Sequence, residues 1–267
     1  MPLHLMKHKF TKDQIRRGII RRLYGIKTAA VRAFGRRLSE ETLLRRRILR
    51  RINELGRRQE DGNSELVEHT YHPIPFPEFQ KVKSHRLEME GRLSAILSAV
   101  GPVDGEWILD IGANVGYFAF SLERKGALVE AYESDSTTFE IGAALSRLYR
   151  TNVLYINKPF GSTSLRYLRD RYRVVLLLSV FHWILKQEGL AAATGVLQSL
   201  AARADWLIFE TPCTGTEGVF AHEMFSSEAR LDGFLRATLP SARISILLVD
   251  NAWGGRNLYC IDTRGSR

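Results

Sequence analysis

The chain has 267 residues, 45% of them hydrophobic, which is enough for one large domain or for one domain with an extension. Its two cysteines lack metal-ligand spacing, so buried thiols are favoured over a metal site. Its apolar runs are shorter than the roughly 20 residues of a membrane-spanning helix. Residues 1–10 lack the apolar core of a signal peptide. These patterns favour a cytoplasmic protein, at most peripheral at the inner face of the membrane.

The net charge of +10 is unevenly distributed along the chain. Residues 1–60 hold 18 Lys and Arg against 5 Asp and Glu, whereas residues 61–267 are slightly acidic. The basic character therefore belongs to the N-terminal segment. It indicates a polyanionic contact there: an anionic acceptor, a membrane surface or RNA.

Two basic amphipathic helices, separated near Gly35, are predicted within residues 11–58. Apolar residues recur at helical spacing from Ile15 to Tyr24 and again from Leu43 to Leu55. Helices of this composition lie on membrane surfaces, follow RNA phosphates, or cover a domain or a partner subunit. The sequence leaves these alternatives open.

A polar linker and a proline-rich strap precede the first expected strand of the main domain. Residues 59–66 form the linker, so we expect a basic helical extension over 1–66 and a main domain over 67–267. Alternating prolines hold residues 71–79 in an extended conformation. A helix near 84–100 then leads into the domain.

From residue 107 onward, predicted strands and helices alternate. This alternation predicts an α/β fold, a Rossmann-like, doubly wound, seven-stranded sheet that is mostly parallel and covered by helices on both faces. The last connection is short and contains Gly254 and Gly255, so the last strand is expected to be antiparallel. The strands are expected near 107–111, 127–132, 152–156, 174–178, 206–210, 244–249 and 257–262. The helices are expected near 116–125, 136–150, 185–203 and 226–238.

The most informative stretch is Asp110-Ile-Gly-Ala-Asn-Val-Gly116, which follows a short apolar run. A strand, an acidic residue and two glycines before a helix predict a tight turn that binds a ligand. Glycine suits such a turn because it allows unusual dihedral angles and a close approach of the backbone. The helix that follows offers unpaired N–H groups at its N-terminus. The candidate ligand-binding residues of this turn are Asp110, Gly112, Ala113, Asn114 and Gly116.

A second acidic residue, Glu133, lies 23 positions after Asp110, at the end of the next apolar run. This spacing suits a carboxylate that reaches the ribose hydroxyls of a nucleotide-like cofactor from the second strand. One anionic acceptor then matches two donors. Asp135 is expected to cap the helix that follows.

At these residues the chain resembles the class I S-adenosylmethionine (SAM)-dependent methyltransferases, whose pattern is D/E-x-G-x-x-x-G. The two glycines fit it. Asn114 takes the place of a central glycine, as in the D-x-G-x-N-x-G type, which disfavours NAD and a dehydrogenase. The segment 174–183 is similar to the family's fourth strand and active-site loop, and 244–262 to its terminal antiparallel hairpin. The resemblance covers roughly residues 85–262 and implies SAM as the cofactor. In such enzymes a segment like the strap at 71–79 often covers the cofactor or acceptor; simple packing is the alternative.

The resemblance implies further site residues at the ends of the later strands. Asn157, after the third strand, stands where a polar residue often contacts adenine, and Ser179 ends the strand beside the methyl group. His182 is a candidate general base, since imidazole titrates near neutral pH. Glu210, at the end of the fifth strand, is a candidate base or acceptor ligand. Arg256 is a candidate for holding an anionic acceptor.

The implied reaction is methyl transfer to an oxygen acceptor, a sugar hydroxyl or a terminal phosphate of a surface polysaccharide or related small molecule. The segment 177–184 is similar to subgroups that act on bacterial surface polysaccharides or on the terminal phosphate of small RNAs. The alternatives are an RNA methyltransferase that binds RNA with its basic helices, and a non-catalytic scaffold with the same fold. The extension lacks the interleaved aromatic residues that stack on unpaired bases, which favours the polysaccharide acceptor.

Overall fold

A large mixed sheet organises the part of the chain that the computed structural model describes, which is residues 39–59, 69–86, 88–213, 222–249 and 256–266. The first predicted basic helix, most of the polar linker and the Gly254-Gly255 turn lie outside these residues. The strands are β1 His69–Thr70, β2 Lys83–Ser84, β3 Trp107–Ile111, β4 Leu128–Glu133, β5 Leu154–Asn157, β6 Tyr172–Leu178, β7 Ala204–Glu210, β8 Arg243–Leu248 and β9 Leu258–Asp262. The helices are α1 Glu40–Gln59, α2 Met89–Val100, α3 Tyr117–Glu123, α4 Ser136–Tyr149, α5 Phe181–Arg203 and α6 Glu228–Thr238.

Seven of these strands form one sheet in the order β5-β4-β3-β6-β7-β9-β8. Neighbouring strands are parallel except that β9 is antiparallel to both β7 and β8. Asp110 of β3 is in register with Ala131 of β4 and Leu176 of β6, so the carboxyl ends of the central strands meet at one edge. The predicted Rossmann-like fold with an antiparallel last strand is confirmed.

Both faces of the sheet are covered by helices. Alternate residues of β3 point to opposite faces, so Ile108 belongs to one hydrophobic core and Leu109 to the other. The first core also receives side chains from α1 to α4, and the second from α5 and α6. Cys260 and Cys213 lie in these cores as free, buried thiols, as the sequence predicts.

The start of α4 agrees with the sequence prediction, whereas two other helix starts correct it. The helix expected near 84–100 begins only at Met89, because Lys83–Ser84 form β2. Asp135 caps α4 by accepting a hydrogen bond from the backbone N–H of Thr138 at 2.8 Å, as predicted. The prediction of a loop over 179–183 and a helix from 185 is wrong, because α5 already begins at Phe181. Ser179, whose left-handed backbone has a φ of +57°, and Val180 are the two residues that connect β6 to the helix.

The second predicted basic helix is α1, and its apolar side packs on the domain. Ile48, Ile52 and Leu55 are buried in the first core. The Arg51 guanidinium donates to both carboxylate oxygens of Glu140 in α4, at 2.8 and 2.9 Å. From Leu44 onward the chain forms one compact unit, so this helix covers the domain; the division after residue 66 stays a prediction. Neither α1 nor another helix in the described ranges is long and apolar enough to cross a membrane.

Replacing Gly142 in α4 by alanine should destabilise the fold, although alanine favours helices. A Cβ at this position would lie 2.6 Å from the ring of Tyr155 on β5. Overpacking of this kind costs about 1–3 kcal/mol, more than the roughly 1 kcal/mol that alanine gains over glycine in a helix. Urea unfolding measures the change.

The matched control is Gly195→Ala in α5. A Cβ there would meet nothing within 4 Å, so the variant should gain about 0.5–1 kcal/mol of stability from the lower entropy of the unfolded chain. Changes of the same sign in the two variants would contradict this account of the α4–β5 packing.

Candidate functional site

A cavity of about 520 Å³ opens at the edge of the sheet where β3, β4 and β6 end. Ligands of open α/β sheets bind at this edge. Its wall also includes residues of the segment after β1, of the turn after β3, and Arg256, which lies two residues before β9. The lining residues are Tyr71, His72, Gly112, Asn114, Tyr132, Glu133, Ser134, Lys158, Pro159, Phe160, Leu178, Ser179, Val180, His182, Trp183, Ile184, Gln187 and Arg256.

The turn between β3 and α3 has a left-handed backbone at three residues. Gly112, Asn114 and Gly116 have φ angles of +75°, +54° and +95°. A Cβ on Gly112 would overlap the side chain of Val180, and one on Gly116 would overlap the Tyr155 hydroxyl. Glycine is therefore required at both positions for its backbone freedom and for packing. Of the three turn residues, Gly112 and Asn114 line the cavity.

Glu133, the last residue of β4, presents its carboxylate to the cavity. Its Oε2 accepts a hydrogen bond from the backbone N–H of Asn114 at 2.9 Å, and its Oε1 accepts one from that of Asp135 at 2.8 Å. Burial raises the pKa of this carboxyl, and the backbone bonds oppose the rise. Each oxygen keeps further acceptor capacity, which is what the predicted ribose contact requires.

Asp110 lies behind the turn, on β3, and is 2% exposed. Its carboxyl accepts a hydrogen bond from the backbone of Ala119, while its Oδ2 has no hydrogen-bond partner among the described residues. Burial, with a smaller effect of the Glu133 carboxylate, raises its pKa to about 7. Ala113 and Gly116 are buried beside it. The predicted cofactor contacts of these three residues stay predictions.

Asn157, predicted near adenine, supports the end of β4. Its side-chain amide donates a hydrogen bond to the carbonyl oxygen of Glu133 at 3.0 Å. The wall on this side is instead formed by Tyr132 and Phe160, whose rings meet edge to face with centroids 5.2 Å apart. Sequence reasoning missed these two aromatic residues, although Tyr132 directly precedes Glu133 and Phe160 lies three positions after Asn157. The adenine contact of Asn157 stays a prediction.

Ser179 connects the cavity wall to two charged side chains. Its hydroxyl donates to Oε1 of Glu210 at 2.6 Å and accepts a hydrogen bond from Nη1 of Arg256 at 3.3 Å. Its backbone N–H also donates to the carbonyl oxygen of Glu210 at 2.8 Å. The structure therefore places Ser179 in the cavity, as its predicted role requires, with its hydroxyl oriented from both sides.

Glu210 belongs to a buried charge cluster behind this wall. Its Oε2 forms an ion pair with Arg92, and its Oε1 lies 3.9 Å from Nη2 of Arg86. All three side chains are at most 3% exposed. The Glu210 carboxylate reaches the cavity through the Ser179 hydroxyl, so its predicted role as a base or acceptor ligand stays a prediction.

His182 lines the cavity from the first turn of α5. Its Nδ1 lies 3.2 Å from the Thr211 hydroxyl, and the residue is 3% exposed. Burial, and then the nearby charge of Arg256, lowers its pKa to about 4. The imidazole is therefore neutral at pH 7, the protonation state that a general base needs, although so low a pKa makes it a weak one.

The strap contributes two lining residues that the sequence does not single out for chemistry, Tyr71 and His72. The Tyr71 hydroxyl accepts a hydrogen bond from Nη1 of Arg256 at 2.9 Å. The backbone N–H of His72 donates to Oδ1 of Asn114 at 3.3 Å. Burial, together with Arg86 and a second nearby arginine, lowers the pKa of His72 to about 3. The strap is therefore fastened to the turn after β3 and to the residue before β9.

Comparison with known proteins finds solved structures that share the fold of this chain. No protein-family model and no curated protein matches the chain. It is similar to the solved structure of the bifunctional kinase-methyltransferase WbdD, with a TM-score of 0.58 and 19% identity, covering 76% of this chain and 44% of that one. It is also similar to the N-terminal domain of EvdMO1 with SAH bound, with a TM-score of 0.54 and 14% identity, covering 82% of this chain and 96% of that one. The chain thus spans less than half of the WbdD structure. At these identities the likeness shows the fold alone, which the chain shares with the kinase-methyltransferase WbdD.

Stability should depend on pH through Asp110. In the folded protein this carboxyl has a pKa of about 7. In the unfolded chain the pKa of an aspartate is about 3.9. Between these values the folded state binds more protons, so the contribution of this group to stability falls as pH rises. Relative to Asp110→Asn, which has no such titration, the wild type should lose roughly 2–3 kcal/mol between pH 5 and pH 8.

Urea unfolding at several pH values measures this difference. Asp170→Asn, at an exposed aspartate, controls for the loss of one carboxylate from the surface. A difference between the wild type and Asp110→Asn that stayed constant from pH 5 to pH 8 would show that the carboxyl is already ionised in the folded state.

Proposed function

We propose that the chain is a SAM-dependent methyltransferase that acts on an oxygen atom of a sugar or phosphate compound. The observation that carries the proposal is the position of the Glu133 carboxylate. It faces a cavity at the carboxyl edge of a methyltransferase fold, next to a left-handed turn that begins at Gly112. Such an arrangement suits a nucleoside with two vicinal hydroxyls, because one carboxylate accepts from both.

The cavity fits SAM at two points, its volume and its apolar wall. The cavity volume of about 520 Å³ is within the range of small-molecule sites, roughly 300–1,000 Å³. Tyr132 and Phe160 offer an apolar wall beside Glu133, as a nucleobase requires.

SAM, when bound, supplies a methyl group on a sulfonium that is a good leaving group. The protein therefore needs mainly to align the acceptor and to exclude water. Ser179 and His182 line the part of the cavity that follows β6, where an acceptor would stand. The acceptor oxygen gains the methyl carbon, and the electrons of the broken carbon–sulfur bond stay on sulfur. A hydroxyl acceptor also gives up a proton, for which neutral His182 is the candidate base, whereas an anionic oxygen has none to lose.

A sugar or phosphate acceptor is supported by the cavity mouth and by two similar proteins. Trp183 lines the cavity and is 44% exposed, so its ring is available to the apolar face of a sugar. WbdD joins a methyltransferase to a kinase, and the EvdMO1 N-terminal domain was crystallised in the presence of SAH and D-fucose. The apolar side of α1 packs into the core, while Arg46 and Arg50 of the same helix are exposed, so the RNA alternative is decided by the labelling experiment below. The acceptor class is thus part of the proposal.

Binding of SAM and of its product SAH should depend on Glu133. Glu133→Gln keeps the size of the side chain but removes the charge that two ribose hydroxyls would share. The dissociation constant for SAH in calorimetry should rise roughly 10- to 100-fold, as expected for charge-assisted hydrogen bonds worth about 1.5–3 kcal/mol.

Glu106→Gln is the matched control, since Glu106 is exposed just before β3, at the opposite edge of the sheet. It should leave the affinity unchanged. NAD serves as the competing ligand. Tight binding of NAD with no binding of SAH would make the protein a dehydrogenase candidate, and binding of neither would favour the non-catalytic scaffold.

Transfer of labelled methyl groups from SAM to fractionated cell material should identify the acceptor. We expect label in saccharide or phosphosugar fractions that withstand nuclease and protease. Label that is released by ribonuclease would overturn the sugar or phosphate acceptor and support the RNA alternative. The Glu133→Gln variant, assayed with the same fractions, controls for labelling by other enzymes.

A further inference from the structure

Arg256 lines the cavity, and among the described residues its guanidinium has two neutral hydroxyls as hydrogen-bond partners. Its Nη1 donates to the Tyr71 hydroxyl at 2.9 Å and to the Ser179 hydroxyl at 3.3 Å. Its Nε is buried and has no hydrogen-bond partner among the described residues. Arginine carries five N–H donors, so most of the hydrogen-bonding capacity of this side chain is not used by these contacts.

Within the described residues, the charge of Arg256 is also not balanced by the carboxylate that bonds to the same serine hydroxyl. That carboxylate belongs to Glu210, which bonds to the other side of the Ser179 hydroxyl and forms its ion pairs with Arg86 and Arg92. Within the described ranges, Arg256 forms no ion pair with an acidic side chain. A half-buried cation without a counter-charge is costly, and an anionic ligand in the cavity would remove that cost.

The two ends of the cavity have opposite charge. Glu133 ends β4, and Ser179 with Arg256 stands at the end of β6, so the two lie on opposite sides of β3 in the sheet. An anionic group is disfavoured beside Glu133 and favoured beside Arg256. Burial of His182 and the field of Arg256 lower the pKa of that imidazole and keep it neutral. Among the lining residues, Arg256 is therefore the cation on this side of the cavity. Lys158 lies on the other side, with Tyr132 and Phe160.

We propose that Arg256 binds an anionic group of the methyl acceptor, a phosphate or a carboxylate, and that Tyr71 and Ser179 hold its guanidinium in place. The planar fork of arginine matches both anions with two parallel hydrogen bonds. This assignment rests on the proposed function, and it narrows the acceptor from any sugar or phosphate compound to one that carries a negative charge near the methylated oxygen.

The methionine carboxylate of SAM has the same chemistry, so the experiment separates the two sources. Inorganic phosphate is titrated into the SAH-saturated, full-length protein by calorimetry. Arg256→Gln should weaken phosphate binding at least about tenfold, the loss expected for a charge-assisted pair, and should leave the SAH dissociation constant within about twofold of wild type. Arg256→Lys should recover part of the phosphate affinity, because it restores the charge without the fork.

Arg243→Gln is the matched control, because Arg243 is exposed and pairs in register with Asp262 at the opposite edge of the sheet. It should leave phosphate binding unchanged. Equal phosphate affinity in wild type and Arg256→Gln would overturn the assignment. A loss of SAH affinity in Arg256→Gln, with unchanged affinity for methylthioadenosine, which lacks the amino-acid part, would assign Arg256 to the methionine carboxylate and also overturn it. Failure of SAH to bind the wild type would instead refute the proposed function itself.

Discussion

The carboxylate of Glu133 ties together the two loops on which the cavity depends. The parallel register of β3 and β4 brings the turn after β3 next to the end of β4. The Glu133 oxygens can then accept the backbone N–H groups of Asn114 and Asp135. Hydrogen bonds to an ionised acceptor are stronger than those between neutral groups. The left-handed turn and the start of α4 are therefore held in a fixed relation, with the carboxylate facing the space between them.

A second set of buried charges joins α2 and the segment before it to the sheet. Arg86 precedes α2 and Arg92 lies within it, and both pair with Glu210 at the end of β7. Removing one member of such a buried pair is costly, about 3–5 kcal/mol, so the cluster keeps the N-terminal part of the domain in place. The Glu210 carboxylate also orients the Ser179 hydroxyl. Glu210, which the sequence suggests as a base or acceptor ligand, therefore positions Ser179 in this structure.

The charges around the cavity complement a ligand with a defined polarity. The Glu133 side suits neutral hydroxyl donors, and the Arg256 side suits an anion. His182, between them in the chain, is held neutral by burial. An acceptor that is already anionic requires no strong base, which agrees with the low pKa of this imidazole. The geometry, the electrostatics and the proposed chemistry are consistent with one another on this point.

Local sequence patterns determined the order and type of the elements from β3 to β9, because alternation of apolar residues, glycine turns and helix caps act over a few residues. Asp135 and the antiparallel last strand are examples in which a short pattern was sufficient. The prediction of a loop over 179–183 was wrong because the left-handed Ser179 shortens the connection into α5. Serine rarely adopts this backbone conformation, so no local pattern predicts it.

The composition of the cavity wall was decided by tertiary structure. The Tyr71–Arg256 hydrogen bond joins residues 185 positions apart, and Glu210 is occupied by arginines that precede it by more than 100 positions. The packing of α1 against the first core likewise became visible only in the fold. The sequence by itself determined the sheet, the turn after β3 and the position of the Glu133 carboxylate at the end of β4. The three-dimensional packing decided which charges of the described residues pair with one another, because pairing between distant residues depends on how whole elements pack and not on local pattern.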